Sequence, residues 1–113
     1  MTPEGKVKAF IKKRMRVWFP DAFMYSPPGT MYGRAGFPDL LWFIRANPKT
    51  CVVVAIEAKA IGNTATPIQL HTLVKLKEQG VISAIVTGQD DEYLERVHAE
   101  IQNRIMKANE EVE

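Results

Sequence analysis

The order of apolar segments and chain breakers predicts an α/β fold in which a central mixed sheet is flanked by helices. Apolar residues recur at helical spacing near both ends of the chain and again after Thr66-Pro67. Short runs rich in β-branched and aromatic residues lie between proline and glycine breakers. The predicted order is helix, three strands, helix, strand and helix. Because a helix separates the last two strands, we expect them to be parallel.

The first helix begins at Thr2-Pro3-Glu4, which supplies a hydroxyl N-cap, a proline at the first helical position and an acid near the positive end of the dipole. Pro20 should end this helix. The segment AFMYS predicts a first strand before the breaker PPG, and DLLWFI predicts a second strand. The apolar stripe of the first helix, which precedes these strands, contains Val7, Phe10, Ile11 and Trp18.

The third strand is CVVVAIEAK, which follows a turn at Asn47-Pro48 and is apolar enough to be covered on both faces. VISAIVT predicts the fourth strand. The second helix starts at Thr66-Pro67, ends near Gly80 and carries Leu70, Leu73, Val74 and Leu76 as its apolar residues. Asp90 or Asp91 begins the last helix, whose core positions are Leu94, Val97, Ile101 and Ile105.

Length and composition restrict the class of protein. A chain of 113 residues is long enough for one core, so we expect one domain. Six lysines or arginines and no acid lie between Lys6 and Arg16, which suits a polyanionic partner, although a solvated helix face is equally common. Cys51 should be a small core side chain in a reducing compartment. No apolar stretch approaches the roughly 20 residues of a membrane helix, so we expect a cytoplasmic protein without membrane association.

Two opposite charges end the third strand, and alternation places Glu57 and Lys59 on one face. In a hairpin symmetric about Pro48, Asp39 lies directly opposite Glu57, whereas a slip of one residue would put the acids on opposite faces. Like charges in a cross-strand pair are destabilising, and a divalent cation between them removes that cost. Mg²⁺ and Mn²⁺ prefer such oxygen ligands and retain water. The sequence therefore predicts a metal site at Asp39 and Glu57.

Further residues point to the same end of the hairpin. Lys59 could stabilise a phosphorane-like transition state, and Gln69, near the start of the second helix, could orient water or phosphate. Glu4 lies three residues before Val7 and is expected on the buried stripe. Each of these residues alone has an ordinary structural explanation, such as an ion pair, a strand start or a helix cap. Their convergence favours a reaction centre.

The motif GFPDLL followed by EAK resembles that of the PD-(D/E)XK nuclease superfamily, and with Glu4, Gln69 and the short hairpin the chain resembles the VRR-NUC family in particular. The resemblance implies a single restriction-endonuclease-like nuclease domain over residues 1–113. It also implies a Mg²⁺- or Mn²⁺-dependent phosphodiesterase acting on DNA. The implied metal ligands are Asp39, Glu57, the backbone carbonyl of Ala58 and, directly or through water, Glu4. The implied catalytic residues are Lys59, Asp39, Glu57, Gln69 and Glu4.

Stand-alone domains of this family are similar to Holliday-junction resolvases of phages and bacteria. The resemblance therefore implies an endonuclease that cuts four-way junctions as a homodimer inside a bacterial or phage-infected cell. The segment FMYSPPGTMY is a candidate for part of the dimer interface.

The alternative functions are a nuclease for flaps or other branched DNA, a DNA-binding or assembly module that does not cleave, and an enzyme for small phosphorylated substrates. The candidate DNA contacts are Arg34, Lys6, Lys12 and Lys13.

Overall fold

The computed structural model describes residues 1–28 and 35–110 of the chain. It contains three helices and four strands in the predicted order, so the α/β fold class is confirmed. Their bounds are α1 (Pro3–Trp18), β1 (Phe23–Tyr25), β2 (Leu40–Asn47), β3 (Thr50–Lys59), α2 (Pro67–Glu78), β4 (Ile82–Thr87) and α3 (Asp91–Glu110). None of the helices in the described ranges is long and apolar enough to cross a membrane.

The four strands form one mixed sheet in the order β1-β2-β3-β4. The pairs β1–β2 and β2–β3 are antiparallel, and β3 pairs with β4 in parallel, as the helical crossover predicts. The predicted hairpin register is confirmed, because Leu41 pairs with Ala55 and Phe43 pairs with Val53. An irregularity near the turn, between Arg45 and Asn47, leaves this register unchanged over the rest of the ladder.

The main core lies between one face of the sheet and the two terminal helices. α1 packs on β3, and α3 packs on β2, β3 and β4. The helices contribute Val7, Ile11 and Met15 from α1 and Leu94, Val97 and Ile101 from α3. Met15 belongs to the buried stripe although the sequence interpretation omitted it. α1 begins as predicted, since the Thr2 hydroxyl accepts a hydrogen bond from the Gly5 amide at 3.0 Å.

α2 covers the opposite face only near β4. As a result, only Thr72 and Leu73 of this helix are buried, and the expected apolar stripe is wrong in part: Leu70 is 47% exposed and Val74 is 53% exposed. The start of β3 also lacks cover on this side. Cys51 is exposed rather than a core side chain, and full burial on both faces begins only further along β3.

Gly36 brings the segment before β2 against the first turn of α2. Its φ of +80° lies in the left-handed region that favours glycine. A Cβ atom at this position would lie 2.9 Å from the carbonyl oxygen of Ile68, which is closer than a normal contact. The backbone of α2 can therefore approach the segment that leads to Asp39 only because residue 36 has no side chain.

We expect Gly36→Ala to destabilise the protein more than Gly62→Ala. Both glycines have positive φ, but a Cβ on Gly62 (φ +94°) would meet nothing within 4 Å. The backbone cost alone should lower the free energy of unfolding of Gly62→Ala by about 1–2 kcal/mol. The additional steric conflict should make the loss in Gly36→Ala about twice as large. Urea unfolding of both variants measures the difference, and equal losses would contradict the close approach.

Candidate active site

The candidate site lies where the hairpin end meets the first turns of two helices. Asp39 directly precedes β2, and Glu57 and Lys59 lie at the end of β3. Glu4 lies in the first turn of α1, and Gln69 lies in the first turn of α2. The fold therefore brings together five side chains that the sequence analysis singled out.

The register of the hairpin places Asp39 beside β3. The last ladder pair joins Leu40 to Ile56, and one further step places Asp39 opposite Glu57. The carboxylate oxygen Oδ2 of Asp39 accepts a hydrogen bond from the backbone N–H of Ala58 at 2.9 Å. The main-chain carbonyl of Asp39 accepts another from the Ser26 hydroxyl at 3.2 Å. These two bonds fix Asp39 at the end of the hairpin.

Pro38 explains why the backbone carbonyl of Ala58 is available as a metal ligand. In an extended chain the N–H and C=O of one residue point to the same neighbouring strand, and the N–H of Ala58 points to Asp39. The next position in the register opposite Ala58 is Pro38, which has no N–H to donate. The ladder donor that would normally occupy this carbonyl is therefore missing. Its assignment as a metal ligand remains a prediction.

Glu57 is the most deeply buried charged group of the site, with 1% of the residue exposed. Its Oε2 accepts a hydrogen bond from Nε2 of Gln69 at 3.2 Å and lies 3.3 Å from Nζ of Lys59. Its Oε1 is buried and has no hydrogen-bond partner among the described residues. A buried carboxylate oxygen normally has a partner, so this atom indicates a missing ligand.

Glu57 belongs to a cluster of three carboxylates. Glu4, Asp39 and Glu57 each offer an oxygen within 4.8 Å of the other two. Hard oxygen ligands of this kind suit Mg²⁺ or Mn²⁺, and the partnerless Oε1 of Glu57 supplies an unused ligand atom. The residues present therefore fit a small divalent cation. Glu4 has 42% of its side chain exposed, so it lies at the open side of the cluster rather than on the buried stripe.

Lys8 belongs to the site although sequence reasoning did not select it. Its Nζ lies 3.6 Å from Oδ1 of Asp39 and 3.9 Å from Oε2 of Glu4. The available signal was its position four residues after Glu4, which places both side chains on one side of α1. Lys8 and Lys59 flank the carboxylates and offset part of their mutual repulsion.

Gln69 holds Glu57 in place through a capping box at the start of α2. Its Oε1 accepts the N–H of Thr66 at 2.9 Å, and its own N–H is bonded to the Thr66 hydroxyl at 3.2 Å. The remaining polar atom of the side chain, Nε2, donates to Glu57. The predicted helix start at Thr66-Pro67 thus also orients a carboxylate of the site.

The residues predicted to contact DNA lie on different sides of α1. Lys12 is half-buried beside the cleft between α1 and β1, whereas Lys6 and Lys13 are exposed on the outside of α1. Arg34 lies outside the described residues.

Burial raises the pKa of Glu57 to about 7. The negative charge of Asp39 acts in the same direction, and Lys59 offsets part of the increase. The carboxyl group therefore resists ionisation unless a positive charge enters the cluster. A divalent cation would favour its charged form.

We expect the stability of the metal-free protein to depend on Glu57. Because the pKa of Glu57 is raised from 4.5 to about 7 on folding, the folded state binds the extra proton between these values. Stability should therefore fall as the pH rises through this window and level off above it. Glu57→Gln should lack this decline, so that the wild type loses on the order of 2 kcal/mol relative to the variant between about pH 5 and pH 8.

Urea unfolding in a chelator at several pH values measures this dependence. Glu78→Gln, which removes an exposed carboxyl group from α2, is the control for the loss of one negative charge. Parallel pH profiles for wild type and Glu57→Gln would contradict the prediction.

Comparison with known proteins gives a likeness of fold. No family model and no curated protein matches the sequence. A solved structure described as "VRR_NUC domain" is 23% identical, with a TM-score of 0.62 over 90% of this chain and 97% of its own. A second, described as "VRR_NUC domain protein", is 19% identical, with a TM-score of 0.62 over 90% of both chains. The chain therefore shares the fold of these VRR-NUC domains, as the motif resemblance implied.

Proposed function

We propose that the protein is a Mg²⁺- or Mn²⁺-dependent DNA endonuclease that cuts four-way junctions. The observation that carries this proposal is the cluster of Glu4, Asp39 and Glu57, in which the buried Oε1 of Glu57 has no hydrogen-bond partner among the described residues and Lys59 lies beside Oε2. The VRR-NUC fold supports the same activity. We also propose the location that the family resemblance implies, the cytoplasm of a bacterial or phage-infected cell.

The residues have separate roles in this proposal. Asp39, Glu57 and the carbonyl of Ala58 would hold the cation, and Glu4 would complete its surroundings from the open side. When bound, the ion supplies a Lewis acid for the phosphodiester and a water of lowered pKa. Lys59 stabilises the negative charge that develops on the phosphoryl oxygens. Gln69 positions Glu57 through the hydrogen bond from its Nε2.

The second candidate is a DNA-binding module that does not cleave, for which the basic α1 would serve equally well. The burial of Lys59 favours the enzyme. Its side chain is only 11% exposed and lies against Glu57, and burying such a pair costs more in desolvation than an exposed pair does. A surface that only binds DNA needs exposed cations instead.

We expect the protein to cleave labelled four-way junctions in Mg²⁺ or Mn²⁺, and flap or linear duplex DNA more slowly. Lys59→Ala should reduce the single-turnover rate at least about 100-fold, because it removes the cation that stabilises charge on the phosphoryl oxygens. Asp39→Asn should have an effect of about the same size, because it removes the charge of a carboxylate that would hold the metal ion. Denaturing gel electrophoresis of timed samples measures these rates.

Lys75→Ala is the matched control, because Lys75 is 60% exposed and, among the described residues, pairs with Glu78 on α2 alone. Its cleavage rate should equal that of the wild type. Full activity in Lys59→Ala, or no cleavage of any DNA by the wild type, would reject the catalytic assignment. Preferential cleavage of flaps would replace the junction with another branched substrate, and equal turnover of small phosphodiesters would remove DNA as the substrate class.

We also propose that the active species is a homodimer, since symmetric cutting of two strands requires two active sites related by a twofold axis. Light scattering coupled to size-exclusion chromatography should give twice the mass of one chain at the concentrations used for cleavage. Junction cleavage by a species that remains monomeric throughout would contradict this.

A further inference from the structure

The two flanks of α1 differ in how their charges are satisfied. On the flank that faces α3, Arg14 is hydrogen-bonded to Asp91 and lies 3.8 Å from Glu95. On the opposite flank, lysine or arginine recurs at every fourth position, as Lys8, Lys12 and Arg16. Side chains at this spacing lie on one side of a helix. The acidic α3 thus neutralises one flank only.

The second flank borders a cleft between α1 and the sheet. Lys12 and Arg16 line a cleft of about 200 Å³ together with Met24 of β1 and Trp42 of β2. Lys8, one turn before Lys12, reaches Asp39. The three cations therefore follow one side of α1 from the carboxylate cluster, which Lys8 contacts, to the cleft that Lys12 and Arg16 line.

Lys8 is paired with Asp39 and Glu4, but the other two cations of this line are not neutralised by the described residues. Within residues 1–28 and 35–110, neither Lys12 nor Arg16 forms an ion pair. The side chains that line the cleft include no acid. Two uncompensated cations beside an apolar cleft favour an extended polyanion over a small neutral ligand.

We propose that this flank of α1, formed by Lys8, Lys12 and Arg16, binds the sugar-phosphate backbone of one DNA strand as it leaves the active site. Eight residues of helix span about 12 Å, which corresponds to three or four nucleotides at about 3.4 Å per nucleotide along one strand. Lys8 holds the end nearest the scissile phosphate, and Arg16 holds the far end. The assignment rests on the proposed nuclease function and specifies where its substrate lies.

The assignment also narrows the set of DNA contacts predicted from sequence. Lys6 and Lys13 are seven residues apart, so they share one side of α1, and both are exposed on the outside of the helix. That side does not border the cleft. Lys6 and Lys13 contribute only to the diffuse positive potential, whereas Lys12 and Arg16 make phosphate contacts.

The test compares two double variants that remove the same charge from the same helix. DNA affinity is measured by fluorescence anisotropy on a four-way junction, in EDTA and again in Ca²⁺, at several salt concentrations. K12Q/R16Q should lower the affinity at least about tenfold and reduce the slope of log K against log salt by about 2, because two phosphate contacts are lost. K6Q/K13Q should change both quantities much less.

The single variants K12Q and R16Q should each reduce the slope by about 1, which tests the assignment even if the double variant unfolds. Melting temperatures identify a variant that has lost its fold. Equal losses of DNA affinity in the two double variants, or a larger loss in K6Q/K13Q, would overturn the assignment of this flank as the DNA-binding side. If K12Q/R16Q loses more affinity but the wild type cuts no DNA, the binding flank is supported and the nuclease function is rejected. If the wild type cuts DNA but both double variants lose equal affinity, the nuclease function is supported and the binding flank is rejected.

Discussion

The antiparallel register of β2 and β3 is the constraint on which the candidate site depends. It places Asp39 next to Glu57 and aligns Pro38 with Ala58. A shift of one residue would move Asp39 to the opposite face and separate the two acids. The short turn at Pro48 and the buried apolar pairs along the hairpin make such a shift costly. The apolar pairs of β2 and β3 therefore fix the positions of the candidate site residues at the end of the same hairpin.

The site concentrates negative charge that the protein only partly neutralises. Glu57 is buried beside Asp39, and Lys8 and Lys59 approach the cluster from different elements. Gln69 connects this charge to α2, because its side chain completes the capping box and also donates to Glu57. Within the described residues, the Oε1 atom of Glu57 has no partner. A divalent cation bound in the cluster would satisfy this oxygen and offset the repulsion between the carboxylates.

Local chemistry accounts for the parts of the fold that were predicted from sequence. Thr2-Pro3 and Thr66-Pro67 carry complete N-terminal signals, and the apolar strand runs are bounded by breakers. The errors concern burial. Leu70 and Val74 were expected in an apolar stripe, but α2 packs near the edge of the sheet on β4 and leaves them exposed. Cys51 is exposed for a related reason, since no helix covers the first residues of β3 on that side. The spacing of apolar residues predicts which of them share one side of a helix or strand. It does not predict how much of that side a neighbouring element covers.

The sequence by itself determined the element order, the hairpin register and the pairing of Asp39 with Glu57, because these follow from alternation, turn placement and capping within short segments. The tertiary structure decided which residues from distant segments reach that pair. In the sequence, Lys8 is one of several lysines of a basic helix. In the folded protein, the packing of α1 places its Nζ 3.6 Å from Oδ1 of Asp39. The partnerless oxygen of Glu57 and the unequal flanks of α1 likewise arise from contacts between elements that are far apart in the chain. Such contacts depend on the relative placement of helices and sheet, for which a local pattern carries no signal.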